Sequence, residues 1–351
     1  MTVGKTSLAE PLMEFRRLRE HAPVVEVTLP SGASAWLLTR YANIRAAPAD
    51  TRLRCTAIDG VPDPPPDHAL LRRLLGQAFT AERTQTLRSH LQELAGQQIR
   101  LVKVAPKPVD LMSCFVLSVP IKVIMELLGV PEEDRDELHA WSEVIVNRDD
   151  HLPDEVRRAR TKVLGYLAEL ISARRAKPTD DLLGELMRSR YESNTLSEAE
   201  LLDFALIMLT ACYQSISNVL GIALFALLAH PEQLALLRAE PDLVPHAVEE
   251  LHRFNPLVFT GTQLRVATEE VKLAGVTIRA GDGVITALGS ADYDILSDPF
   301  GAQLARLILD VAITTLISEL PGTLRFAVPA HWLTCTTDRT SCALANLPVT
   351  W

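Results

Sequence analysis

The segment Leu201–Asn255 decides the fold of this chain, and it reads LLDFALIMLTACYQSISNVLGIALFALLAHPEQLALLRAEPDLVPHAVEELHRFN. Apolar residues cover every helical face from Phe204 to Leu228, so the pattern predicts a buried helix rather than an amphipathic one. Pro231 ends this helix because proline cannot continue it. A second helix follows and ends with Glu250 and Arg253, which are three residues apart and can meet on one face.

Composition limits the classes of protein that fit. With 351 residues, 48% of them hydrophobic, the chain can bury a large core in one big domain or two smaller ones. A net charge of -9 without basic runs argues against nucleic-acid binding. The apolar helix carries Thr210, Gln214 and Asn218, so it is predicted to be core rather than a membrane anchor.

The cysteines are scattered without paired spacing, which indicates a reducing cytoplasm and gives no metal site. They are Cys55, Cys114, Cys212, Cys335 and Cys342.

A buried helix followed by Glu-x-x-Arg and Phe254-Asn255-Pro256 resembles the I-to-K helix core of bacterial cytochromes P450. Residues 67–80 resemble the C helix of that family and the F-T segment after it, and residues 276–284 resemble one of its β turns. The resemblance covers nearly the whole chain. It implies a mainly α fold with a small β region, in a single domain spanning residues 1–351.

The resemblance also implies roles for individual residues. Glu250 and Arg253 are expected to form a buried structural ion pair, while His68, Arg72 and Arg265 match the side chains that hold the haem propionates. Without the resemblance, His68 and Arg72 would be interpreted as two solvated side chains on a helix. The match of the whole stretch favours the binding role.

The buried helix departs from the family motif, in which an acid and an alcohol pass protons to iron-bound oxygen. Gln214 replaces the acid and, being an amide, has no proton to give at neutral pH. Ser215 keeps a hydroxyl, whereas Ile216 does not. Cys212 replaces a glycine, and a buried cysteine is more often packing than chemistry. The catalytic residues are therefore left unassigned.

A second departure lies between Phe300 and Gly301. The residues before this point resemble the run that precedes the family's meander, and those after it resemble the helix that follows the haem cysteine. The intervening loop, with its cysteine, is predicted to be deleted. Thiolate ligation is what lets these enzymes cleave dioxygen, so the sequence predicts a protein without haem or another cofactor.

The leading functional hypothesis is a haem-free auxiliary partner of a tailoring enzyme, such as a glycosyltransferase, in antibiotic biosynthesis. The alternative is an enzyme repurposed to work without haem, a cyclase, dehydratase or isomerase that holds a small apolar or anionic ligand in the emptied cavity. A degenerate relative without a role comes third, and a working monooxygenase comes last.

Overall fold

The computed structural model describes residues 17–28, 34–55, 81–146, 151–177, 179–193, 197–253, 265–286, 302–337 and 342–351. The predicted class, mainly α with a small β region, is confirmed. The chain forms two compact units, each built from three separate segments. Unit 1 comprises Met1–Pro65, Glu249–Pro299 and Val328–Asn346, and unit 2 comprises Pro66–Val248, Phe300–Ala327 and Leu347–Trp351. The single domain over residues 1–351 stays a prediction.

Helices make up most of the described structure, and a further helical segment covers residues 17–21. The helices are α1 (Tyr41–Ala46), α2 (Ala81–Val104), α3 (Ser118–Leu127), α4 (Arg135–Val146), α5 (Pro153–Ala176), α6 (Leu182–Ser193), α7 (Glu198–Ile207), α8 (Tyr213–Ala229), α9 (Pro231–Ala239), α10 (Val244–Arg253) and α11 (Ala302–Glu319).

The strands are short. They are β1 (Val24–Thr28), β2 (Ser34–Leu38), β3 (Leu53–Cys55), β4 (Val109–Asp110), β5 (Arg265–Ala267), β6 (Val271–Leu273), β7 (Val276–Ile278), β8 (Gly283–Thr286), β9 (Arg325–Phe326), β10 (Cys335–Thr337), β11 (Cys342–Leu344) and β12 (Pro348–Thr350).

Unit 1 contains a five-stranded sheet in the order β1-β2-β8-β5-β3. Strands β2 and β8 run parallel and the other neighbours run antiparallel. Leu38, Leu53 and Ile278 are buried in the cluster that packs on this sheet. Trp36 Nε1 donates to Asp282 Oδ2 at 3.0 Å, so strand β2 is also tied to the turn that precedes β8.

The predicted buried helix is confirmed as one continuous stretch in unit 2. It consists of α7, a π-helical turn over Met208–Cys212, and α8; we call this whole stretch the interrupted helix. A capping box starts it, since Glu200 N donates to Ser197 Oγ at 3.2 Å and Ser197 N donates to the Glu200 carboxylate at 2.5 Å, which satisfies two exposed backbone donors.

Helix α11 is the second long apolar helix of unit 2, and it packs along α2. Two ion pairs join these helices at 2.6 Å, Arg88 with Asp310 and Lys103 with Glu319. The guanidinium of Arg238, on α9, donates to the carbonyls at the end of α11: Ile317, Leu320 at 2.7 Å and Pro321 at 3.1 Å. Ile317 lies in the last turn of the helix, where carbonyls lack partners within it, and Leu320 and Pro321 directly follow the helix.

A three-stranded sheet completes unit 2 in the order β4-β12-β9, with both pairings antiparallel. The carboxylate of Asp110 accepts from the backbone N–H groups of Met112 and Leu347, at 3.1 and 2.6 Å. The end of the chain therefore supplies the middle strand of this sheet.

Among the described helices, the stretch Glu198–Ala229 is long and apolar enough to cross a membrane. However, 71% of its most apolar part is buried inside the protein. Core helices of soluble proteins pass the same test. Its burial agrees with the prediction that this segment is core.

Candidate functional site

The π-helical turn Met208–Cys212 is the main irregularity of the interrupted helix. Such turns disturb the regular backbone ladder and are frequent at functional sites. Thr210 Oγ1 donates to the Leu206 carbonyl at 2.8 Å, so a side chain satisfies one of the backbone acceptors near the turn. The turn lies directly before the residues that replace the family's acid and alcohol.

Ser215 is exposed in the otherwise buried middle of the interrupted helix. Between Leu201 and Leu228, it is exposed, whereas every other residue whose side chain the structure describes is buried or half-buried. Its neighbour Gln214 is half-buried. The two polar residues singled out from the sequence therefore lie where a long buried helix reaches accessible space.

The adjoining residues face the interior. Cys212, Tyr213 and Ile216 are all less than 5% exposed. Burial raises the pKa of the Cys212 thiol to about 12, so this side chain stays protonated at neutral pH. A protonated, buried thiol packs like a small apolar group.

His139, on α4, also lies at this turn, although nothing in the sequence indicated it. Its ring meets the ring of Tyr213 edge to face, with centroids 6.0 Å apart and an interplanar angle of 88°. The two residues are distant in sequence, and a lone histidine on a helix carries no motif.

The structure describes the other predicted residues in part. His68 and Arg72 lie outside the described residues. Arg265, on β5 of unit 1, is half-buried, and its Nη1 donates to the Leu53 carbonyl at 3.1 Å. The predicted propionate-binding role of all three stays a prediction.

The predicted burial of the Glu250–Arg253 pair is wrong at Glu250, which is exposed. The reason is the face that α10 buries: Val244 and Val248 are buried, and Glu250 lies about 200° around the helix from Val248. The Arg253 side chain is outside the described set, so the pairing itself stays a prediction.

Comparison with known proteins gives consistent matches. The family model for cytochrome P450 matches residues 59–295. Mycinamicin IV hydroxylase/epoxidase from Micromonospora griseorubida is 34% identical over 376 residues, covering 96% of this chain and 94% of the relative. Pentalenic acid synthase from Streptomyces avermitilis is 35% identical, covering 99% and 96%. The crystal structure of the LnmA cytochrome P450 hydroxylase from the leinamycin pathway of Streptomyces atroolivaceus matches with a TM-score of 0.83, 39% identity and 96% coverage of both chains.

These relatives correct two predictions. The haem-free auxiliary function, with its haem-independent enzyme alternative, is wrong, because proteins similar along nearly the whole chain are named as hydroxylases and a synthase. The prediction of no cofactor is wrong for the same reason, since haem is expected in this family. The deletion predicted between Phe300 and Gly301 lies outside the described residues, and the comparisons do not show it.

The described residues fit a haem only in part. Arg265 offers a guanidinium suited to a propionate, whereas Cys212 is only 4% exposed and is packed in the core. Cys114, with its Sγ 3.8 Å from Ser113 Oγ, is the other cysteine with a described side chain. The sequence has no cysteine between Cys212 and Cys335. We therefore derive no reaction step through the iron.

Family membership rests on both sequence and fold. The family model spans residues 59–295, and the relatives exceed 30% identity over more than nine tenths of the chain. The agreement in fold with LnmA extends over the same share of the chain. This chain belongs to the cytochrome P450 family.

Proposed function

We propose that this chain is a haem-dependent monooxygenase that oxidises an apolar intermediate of a bacterial antibiotic pathway. The relatives that support this are named as a mycinamicin hydroxylase/epoxidase, a nocardicin C N-oxygenase and the monooxygenase PikC. A thiolate-ligated haem supplies oxygen activation in this family. The substrate class is proposed from these names and from the apolar character of the helix around Ser215.

The main support for the proposal is the exposure of Ser215 and the partial exposure of Gln214 in an otherwise buried part of the interrupted helix. Ser215 is the one exposed residue described between Leu201 and Leu228, and ligand sites with apolar walls use a few placed polar groups to orient the ligand. The Ser215 hydroxyl can donate and accept a hydrogen bond, and thus pass a proton. The Gln214 amide can orient a neighbouring group by hydrogen bonding, but it cannot act as an acid.

We place the protein in the cytoplasm. The burial of the long apolar helix supports this location, as does the scattered pattern of the cysteines.

The test is a spectrum of the full chain, expressed with excess haem precursor and reduced under carbon monoxide. We expect a stoichiometric band typical of thiolate-ligated haem, and a substrate-type spectral shift on adding mycinamicin IV as a probe macrolide. Serine variants of each of the five cysteines identify the ligand, because one of them must lose the band. A folded protein without the band, as judged by circular dichroism, contradicts the proposal.

Two variants test the polar opening separately. Gln214→Glu supplies an acid, so we expect a larger fraction of consumed oxygen to appear in product. Ser215→Ala removes the hydroxyl, so we expect that fraction to fall while the carbon-monoxide band is retained. Equal product yields in both variants and the parent protein would show that neither residue handles protons.

A further inference from the structure

A buried ring nitrogen without a hydrogen-bond partner in the described residues lies beside the π-helical turn. His139 Nε2 is shielded from solvent and makes no hydrogen bond in the described part of the chain. Glu143, one turn later on α4, places Oε1 at 3.6 Å from this nitrogen. That distance is too long for a hydrogen bond, but it lies within reach of an ion pair if the ring carries a proton.

The same ring is packed on the interrupted helix. It contacts Tyr213, the first residue of α8 and 2% exposed. Burial and the nearby negative charge of Glu143 both raise the pKa of Tyr213, so the phenol stays neutral and Glu143 acts on this site electrostatically. His139 thus lies between a carboxylate on its own helix and the residue that follows the π-helical turn.

Two carboxylates on the elements next to α4 already have partners. From α3, Glu126 is paired with Arg135 at 2.7 Å and with His90. From the turn before α4, Asp134 accepts from the Tyr166 hydroxyl at 2.7 Å.

Two further titratable groups border the same region. Lys162, on α5, has its Nζ 4.8 Å from the centre of the Trp141 ring. Trp141 lies about 200° around α4 from His139, so this lysine is held on a different side of the helix. The Cys212 thiol remains protonated. Of the groups named here, Glu143 is the one within ion-pair distance of the His139 ring.

We propose that His139 is a proton-dependent latch between α4 and the π-helical turn. The neutral ring leaves a buried nitrogen unsatisfied, which is unfavourable. Proton uptake turns this nitrogen into a charged donor, Glu143 closes on it, and the ring is fixed against Tyr213. Histidine is the side chain whose charge changes near neutral pH, so we expect the turn to become more stable when the ring takes up a proton.

The test is amide hydrogen exchange of the full chain at about pH 5.5 and about pH 7.5, expressed as protection factors to remove the intrinsic effect of pH on exchange. We expect the amides of Met208–Tyr213 to be about two- to fivefold better protected at the lower pH, as for a partly exposed ion pair. His139→Phe keeps an aromatic ring and should abolish the difference. Glu143→Gln should abolish it too, and it serves as the second variant if His139→Phe does not fold.

A matched control exists in the same chain. His151 and Glu155 have the same spacing, with Nδ1 and Oε2 3.7 Å apart, but they lie at the start of α5. His151→Phe should leave the pH effect at the π-helical turn intact. A difference that persists in His139→Phe or Glu143→Gln, or a parent protein that shows none, overturns the latch.

Discussion

The interrupted helix and α11 are both long and apolar, yet they are built differently. Helix α11 runs for 18 residues without a break, and its polar side chains Asp310 and Glu319 are ion-paired. The interrupted helix contains a π-helical turn, an exposed Ser215 and a buried Ser217 hydroxyl for which no partner is described. The difference indicates that α11 serves stability, whereas the interrupted helix gives up regular bonding next to the residues for which we propose a ligand-facing role.

The largest effect should be common to both helices. Leu309 in α11 and Leu220 in the interrupted helix are fully buried, so Leu309→Ala and Leu220→Ala should each lower the free energy of unfolding by about 2–5 kcal/mol. Urea denaturation measures this. A loss well under 1 kcal/mol in one helix only would show that its packing is looser than its burial indicates.

The next effect should separate the two helix ends. Arg238→Ala removes the guanidinium that donates to the carbonyls at the end of α11. Because hydrogen bonds from a charged group are strong, we expect the free energy of unfolding to fall by about 2 kcal/mol. The interrupted helix ends at exposed His230, so His230→Ala should change stability by less than about 0.5 kcal/mol. Equal losses in thermal denaturation would contradict the assignment of Arg238 as the cap of α11.

Two buried serines sharpen the comparison further. Ser142 and Ser217 are both 0% exposed, but Ser142 Oγ donates to the Leu138 carbonyl at 2.8 Å, while Ser217 Oγ is unsatisfied in the described structure. Ser142→Ala should cost about 1 kcal/mol, and Ser217→Ala should be neutral or stabilising by about 1 kcal/mol. Denaturation midpoints of the two variants that shift in the same direction would refute this contrast.

The smallest effect on stability is expected at the proposed site. Ser215 is exposed, so Ser215→Ala should change the free energy of unfolding by less than about 0.5 kcal/mol. A larger loss, measured by the same urea denaturation, would mean that Ser215 is a structural residue and would remove the main support for a ligand-facing role.

The sequence was sufficient to predict the elements that depend on local pattern. The apolar run from Phe204 to Leu228 predicted a buried helix, and the Ser-x-x-Glu spacing before it is typical of a capping box, which Ser197 and Glu200 form. Both features depend on residues within a few turns of one another. The helical class and the family followed from the same kind of local motif.

Features that depend on distant contacts were not predictable in this way. Hydrophobicity around Met208–Cys212 is the same for an α-helical and a π-helical turn, so the sequence pattern does not distinguish the two. The exposure of Glu250 depends on which face of α10 packs. The contact between His139 and Tyr213 depends on how two helices that are distant in sequence pack together. The functional prediction failed because it gave one short segment, at Phe300–Gly301, more weight than the likeness of the whole chain.

The position of β12 has a consequence for how the protein is made. Pro348–Thr350 is the middle strand between β4 and β9, and β4 leaves the ribosome more than two hundred residues earlier. Since synthesis proceeds at about 5–20 residues per second, β4 is made roughly ten seconds or more before its neighbour β12. During that interval β4 lacks its native partner, and an unpaired strand edge is open to pairing with other chains.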